Sequence, residues 1–156
     1  MTWDETDLSA AAERLRTARA TGVACAPIRD AFGETDEAAG YAIQELNTAR
    51  WLDEGRQLIG RKIGLTSAAV QGQLGVHQPD YGMVWGDTAH IDGASLPADQ
   101  LLQPRVEAEI AFVMGEDLEG PITPARLLGA VAYALPAIEV VESAIRDWDI
   151  RFVDTV

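Results

Sequence analysis

The stretch RVEAEIAFVM, residues 105–114, constrains the fold more than any other part of the sequence. Successive side chains of a β-strand point to opposite faces, so Val106 and the apolar residues at alternate positions would share one face. Glu107 and Glu109 would share the other face. Alternation over ten residues predicts a strand, and this strand carries two neighbouring carboxylates on one side.

Two amphipathic helices are predicted ahead of this strand. Apolar residues recur at spacings of three and four from Asp7 to Ala20, and again from about Asp36 to Asp53. Gly22 follows the first helix, and such a glycine is typical of a helix C-terminus. Short helices are also predicted over 66–75, with Thr66 or Ser67 as N-cap, and after Thr123.

Further strands are predicted over 57–65, after Pro79 and over 133–143, while 24–33 and 93–104 are predicted to be loops. Helices at the front and strands behind indicate an α+β fold. We expect an N-terminal helical segment over 1–56, and a β-rich part over 57–156, within a single domain.

Charge excludes two classes of partner. The chain of 156 residues carries a formal net charge of −13 with its basic residues scattered, which argues against nucleic acid and anionic membrane surfaces. The sequence has no apolar run of membrane-spanning length, and its first residues are acidic where a secretory signal would be basic. These features predict a cytoplasmic protein.

A third carboxylate, Glu139, stands inside the otherwise apolar strand PAIEVVE. Three carboxylates without histidine suit a hard divalent cation such as Mg²⁺ or Mn²⁺, with coordination positions left for water or substrate. The alternative is that Glu107 and Glu109 line a solvated sheet edge.

Lys62 is the only lysine of the chain, and it lies between Gly60 and Gly64 in an apolar segment. A lysine is a compact cation, and the glycines would leave room for a ligand near the backbone. The alternative is a surface lysine whose stem covers apolar residues. Asp80, after Pro79, is either a turn former or a general base. His77 and His90 are interpreted as structural residues.

Three segments resemble the 2-keto-4-pentenoate hydratase and 4-oxalocrotonate decarboxylase family of the fumarylacetoacetate hydrolase superfamily. They are IGRKIGLTSAAVQGQLGVHQPDYGMVW, RVEAEIAFVMGEDL and AIEVVESAIRDWDIRFVDTV. The resemblance implies that the β-rich part is a portion of the superfamily's mixed, barrel-like roll. It also implies that Glu107, Glu109 and Glu139 hold Mg²⁺ or Mn²⁺, and that Lys62 and Asp80 are catalytic.

The activity implied by the resemblance is hydration of 2-hydroxypenta-2,4-dienoate, a small molecule from aromatic-ring degradation, to 4-hydroxy-2-oxopentanoate. Lys62 would neutralise the substrate carboxylate or take part in proton transfer, and Asp80 would activate water. The alternatives are decarboxylation of 4-oxalocrotonate and a catalytically inactive truncated member of the family.

Members of the family continue past the position of VDTV, where this sequence stops. We therefore expect either a truncated chain or a partner that supplies the remaining strands, and a homo-oligomer for the complete protein. Strands without their neighbours expose apolar faces, so the isolated chain is expected to be poorly stable or to associate.

Overall fold

The computed structural model describes residues 3–34 and 36–155, which form helices and two small antiparallel sheets. The helices are α1 Glu5–Thr21, α2 Arg29–Phe32, α3 Glu37–Asp53, α4 Ala68–Leu74, α5 Pro124–Ala130 and α6 Phe152–Thr155. The strands are β1 Leu58–Gly64, β2 Asp80–Trp85, β3 Arg105–Met114 and β4 Val131–Val141. The α+β class expected from the sequence is confirmed.

The two long helices form where they are predicted, although α1 begins two residues before Asp7 and ends one residue after Ala20. The side chain of Asp4 accepts a hydrogen bond from the N–H of Thr6 at the start of α1, and Gly22 closes the helix with a φ of 66°. Asp36 caps α3 in the same way, through the N–H of Ala39. Local sequence therefore sets both helices.

The prediction of a loop over residues 24–33 is wrong in part, because α2 forms within it. Its first turn is held from far along the chain: the carboxylate of Asp154 accepts hydrogen bonds from the backbone N–H groups of Ile28 and Arg29, at 2.8 and 3.3 Å. Phe32 is buried at the other end of this short helix. A contact across about 125 residues leaves no local signal in the sequence.

The chain divides into two compact units. The first comprises the described residues of 1–103 and 143–156, and includes the β1–β2 pair; the second is Pro104–Glu142, and includes the β3–β4 pair. The helices before residue 56 and the strands β1 and β2 thus share a unit. The boundary predicted between residues 56 and 57 stays a prediction.

Helices α1 and α3 and the C-terminal segment build the core of the first unit. Its buried members include Leu8, Ala12, Leu15, Ile28, Ile43, Ile145 and Val153. Cys25 joins the C-terminal segment to the rest through backbone hydrogen bonds with Ala144 and Arg146, each 2.8 Å long. The C-terminal segment thus contributes Ile145 and Val153 to this core.

In the second unit, the face of the β3–β4 pair opposite the glutamates is apolar and exposed. Val106, Ile110, Phe112 and Ile138 retain 63–73% of their accessible surface. An apolar sheet face left in water favours association. The expected tendency of the isolated chain to associate stays a prediction. Within residues 3–34 and 36–155, the helices are too short or too polar to cross a bilayer.

Candidate metal centre and lysine–aspartate pair

The register of β3 and β4 brings three glutamates to one face of the second unit. Glu107 lies directly opposite Glu139, and Glu109 follows two residues along the same strand. Residues directly opposite in an antiparallel pair project to the same side, as do residues two apart in one strand. One carboxylate oxygen of each residue lies within 4.8 Å of the others. We call Glu107, Glu109 and Glu139 the carboxylate cluster.

The donor set of the carboxylate cluster fits a hard cation. It offers oxygen ligands alone, the donors that Mg²⁺ and Mn²⁺ prefer, and three like charges this close repel one another unless a cation lies between them. Among the residues that the structure describes, it is the one group of acidic, histidine or cysteine side chains arranged to hold a metal. Glu107 and Glu109 are exposed, as a solvated acidic face also requires.

Lys62 and Asp80 lie on one face of the β1–β2 pair in the first unit. Lys62 is opposite Gly82, and Asp80 is opposite Gly64. We call Lys62 and Asp80 the lysine–aspartate pair. Lys62 is half-buried, whereas Ile63 retains 55% of its surface on the other face of β1. The apolar neighbour Ile63 therefore points away from the side chain of Lys62.

The two glycines opposite the pair make space for its side chains. A Cβ atom at Gly82 would lie 3.3 Å from both Cγ and Cε of Lys62, and a Cβ atom at Gly64 would lie 2.2 Å from Oδ1 of Asp80. Gly64 was expected to leave room for a ligand. In the structure the carboxylate of Asp80 takes that space, so this expectation is corrected.

Asp80 is a buried carboxylate and the first residue of β2, with 9% of its surface exposed. Burial raises the pKa of Asp80 above its ordinary value, because the charged form loses its water. The charge of Lys62 and hydrogen bonds from Thr155 and the backbone of Gly64 oppose that shift. Lys62, Thr155 and the backbone of Gly64 thus stabilise the ionised form, which is the form that acts as a base.

Two neighbours of Asp80 carry no signal in the sequence. The hydroxyl of Thr155, in α6, donates to Oδ2 of Asp80 at 3.2 Å across 75 residues of sequence. Tyr41, in α3, stacks on Tyr81 with ring centroids 4.8 Å apart. Burial raises the pKa of the Tyr41 hydroxyl, and the charge of Asp80 adds to the shift. Tyr41 lies outside the segments that resemble the family, and Thr155 lies in the last of them without a predicted role, so sequence reasoning missed both contacts.

His77 and His90 are exposed, and neither belongs to the carboxylate cluster.

Comparison with known proteins confirms the family resemblance. The chain is 56% identical over 147 residues to the TodF product hydratase of Pseudomonas putida, and 54% identical over 148 residues to 2-keto-4-pentenoate hydratase 2 of Dechloromonas aromatica. Each alignment covers 94% of this chain, and 55% and 56% of the respective relative. The chain thus spans little more than half the length of these relatives. No protein-family model matches it.

A solved structure shares the fold of the described chain. The 4-oxalocrotonate decarboxylase from Pseudomonas putida G7, in complex with magnesium and adipate, superposes with a TM-score of 0.91 at 28% sequence identity. The match covers 98% of this chain and 59% of the decarboxylase. The relatives found by sequence are hydratases, and the relative found by structure is a decarboxylase. These are the two branches of the family that the motifs resemble.

The packing of Asp80 against Gly64 predicts unequal effects of alanine at two glycines of β1. Gly64→Ala forces Asp80 to move, and we expect the free energy of unfolding to fall by about 1–3 kcal/mol. Gly60→Ala is the matched control, because a Cβ there meets nothing closer than Cβ of Val84 at 3.9 Å. Urea unfolding measures both variants. Equal stability losses in the two variants would show that Asp80 does not occupy this position.

Proposed function

We propose that the protein of which this chain is part is a divalent-metal-dependent hydratase that adds water to 2-hydroxypenta-2,4-dienoate, giving 4-hydroxy-2-oxopentanoate. The observation that carries the proposal is the carboxylate cluster in a chain that is 56% identical to a hydratase over 94% of its length. The relatives extend beyond the matched region, so the activity is proposed for the complete protein.

Glu107, Glu109 and Glu139 would hold the cation through their carboxylate oxygens. The related decarboxylase was solved with magnesium, and Mn²⁺ has similar ligand preferences, so we propose either ion as the cofactor. A cation bound there would supply Lewis acidity toward the carboxylate and 2-oxygen of an oxo acid.

We assign two possible roles to the amine of Lys62: it neutralises the substrate carboxylate or takes part in proton transfer. Its stem lies over Gly82, which places the amine at the end of a side chain held along the sheet face. A lysine presents a point charge with three rotatable donors, whereas arginine presents a wider planar fork. Gly82 leaves space for the stem of Lys62, and this supports a role for its amine in binding the substrate or transferring a proton.

Asp80 is assigned the role of general base toward water. Burial strengthens it as a base by raising its pKa, while Lys62 and Thr155 help to keep it ionised. A carboxylate of this kind can accept a proton from water as the oxygen adds to the conjugated ketone. The proton then resides on Asp80 until it passes to the product or solvent.

The second candidate is decarboxylation of 4-oxalocrotonate, favoured by the TM-score of 0.91 to a decarboxylase of that specificity. Hydratase relatives are 46–56% identical to the chain, against 28–30% for the decarboxylase structures, so we place hydration first. We also propose that β1 to β4 form part of the barrel-like roll of the superfamily. The cytoplasmic location and the homo-oligomer of the complete protein stay predictions.

The two candidate reactions predict different products from parallel assays with Mg²⁺. We expect the absorbance of 2-hydroxypenta-2,4-dienoate to disappear without release of CO₂, and chelation of the metal to abolish this turnover. CO₂ release from 4-oxalocrotonate, with the dienoate left unchanged, would replace the hydratase by the decarboxylase. Turnover of neither substrate by the full-length protein with metal would refute both candidates.

Lys62→Arg should retain the charge and lose most activity, by roughly 100-fold in kcat, because a guanidinium cannot occupy the position of the amine over Gly82. Arg61→Lys is the matched control, since Arg61 lies exposed on the opposite face of the same strand. We expect that variant to keep parental turnover. Near-parental kcat in Lys62→Arg would remove Lys62 from the mechanism.

A further inference from the structure

The last helix of the described chain is fixed by one buried carboxylate. The side chain of Asp154 is fully buried and accepts hydrogen bonds from the N–H of Ile28 at 2.8 Å, the N–H of Arg151 at 3.0 Å and Nη1 of Arg29 at 3.0 Å. Phe152 and Val153 beside it have no exposed surface. Together these contacts fix α6 against α2 in the first unit.

Fixing α6 determines where Thr155 lies. Its Oγ1 is 3.2 Å from Oδ2 of Asp80 and 2.8 Å from the carbonyl oxygen of Phe152. A hydroxyl has one proton, so it donates to one of these acceptors at a time. With Asp80 ionised, the charge-assisted bond is the stronger. With Asp80 protonated, the hydroxyl can donate to the Phe152 carbonyl and accept the proton of the acid.

We propose that Thr155 is a positioning residue that holds the Asp80 carboxyl in a fixed orientation in both of its protonation states, through an α6 fixed by Asp154 and Arg29. A general base changes protonation state within its cycle, and a donor-only partner would lose its bond at that step. The hydroxyl can reverse its direction, so it remains bonded throughout. The catalytic use of this contact rests on the proposed role of Asp80 as base.

Other groups around Asp80 do not replace this contact. Lys62 faces it from β1 as a positive charge, and the Tyr41 hydroxyl from α3 is coupled to it by charge. The backbone N–H of Gly64 stabilises the ionised form. An ammonium group and an N–H only donate, so neither can accept a proton from protonated Asp80. A phenol hydroxyl could do both, but the hydrogen bond of Tyr41 is with the backbone of Tyr81, and Tyr41 affects Asp80 through charge. Thr155 supplies both functions.

The test compares Thr155→Val with the conservative Thr155→Ser, and uses Thr48→Val as the matched control. Thr48 is a buried threonine of the same unit whose hydroxyl has no hydrogen-bond partner among the described residues. The first readout is the pKa of the Asp80 carboxyl from ¹³C NMR titration, assigned with Asp80→Asn. The second is the dependence of kcat and KM on pH.

We expect Thr155→Val to raise the pKa of Asp80, because the ionised form loses a donor. The acid limb of kcat should then move to higher pH, and kcat should fall about ten-fold or more with KM unchanged. Thr155→Ser should restore both readouts, and Thr48→Val should change neither. An Asp80 pKa in Thr155→Val equal to that of the parent, or a serine variant that behaves like valine, would overturn the proposal.

The NMR readout separates this proposal from the proposed function. A shifted Asp80 pKa with serine rescue, in a protein that turns over no dienoate, would support the positioning contact and refute the hydratase. An unshifted pKa in an active, metal-dependent hydratase would refute the positioning contact alone.

Discussion

The pairing register of the two antiparallel ladders is the constraint on which both functional groups depend. In one ladder Glu107 is opposite Glu139; in the other Gly64 is opposite Asp80. Side chains alternate faces, so a slip of one residue would move each group to the other side of its sheet. Glu139 would then leave the face of Glu107 and Glu109. The chemistry proposed for this chain is therefore a consequence of strand pairing as much as of residue identity.

The β1–β2 ladder also depends on glycine at two positions. Two charged side chains can lie along one face of a two-stranded sheet only where their cross-strand partners leave space, and Gly82 and Gly64 do so. Glycine weakens a strand by roughly 0.5–1 kcal/mol relative to alanine. The two strands bear this cost at the positions opposite Lys62 and Asp80, where a larger residue would displace these charged side chains.

Local signals in the sequence predict the helices and strands better than they predict the tertiary contacts. The periodicity and caps of α1 and α3 and the alternation of β3 are properties of neighbouring residues, and the helices and strand form where those signals lie. The helix α2 was missed because Asp154 stabilises it from far along the chain. Ile63 is adjacent to Lys62 in the sequence but lies on the other face of β1, because neighbours in a strand point away from one another. Thr155 approaches Asp80 through tertiary packing across 75 residues of sequence, which neither of their sequence segments indicates.

Binding of a divalent cation by the carboxylate cluster can be measured with Mn²⁺ and electron paramagnetic resonance. Glu107→Gln removes one charge from the cluster and replaces a carboxylate ligand by a weaker amide oxygen. Glu119→Gln removes the charge of an exposed glutamate in the same unit outside the cluster. We expect saturable Mn²⁺ binding that weakens by about ten-fold or more in Glu107→Gln and is unchanged in Glu119→Gln. Equal Mn²⁺ affinity in the parent and in both variants would show that the carboxylate cluster is not the metal site.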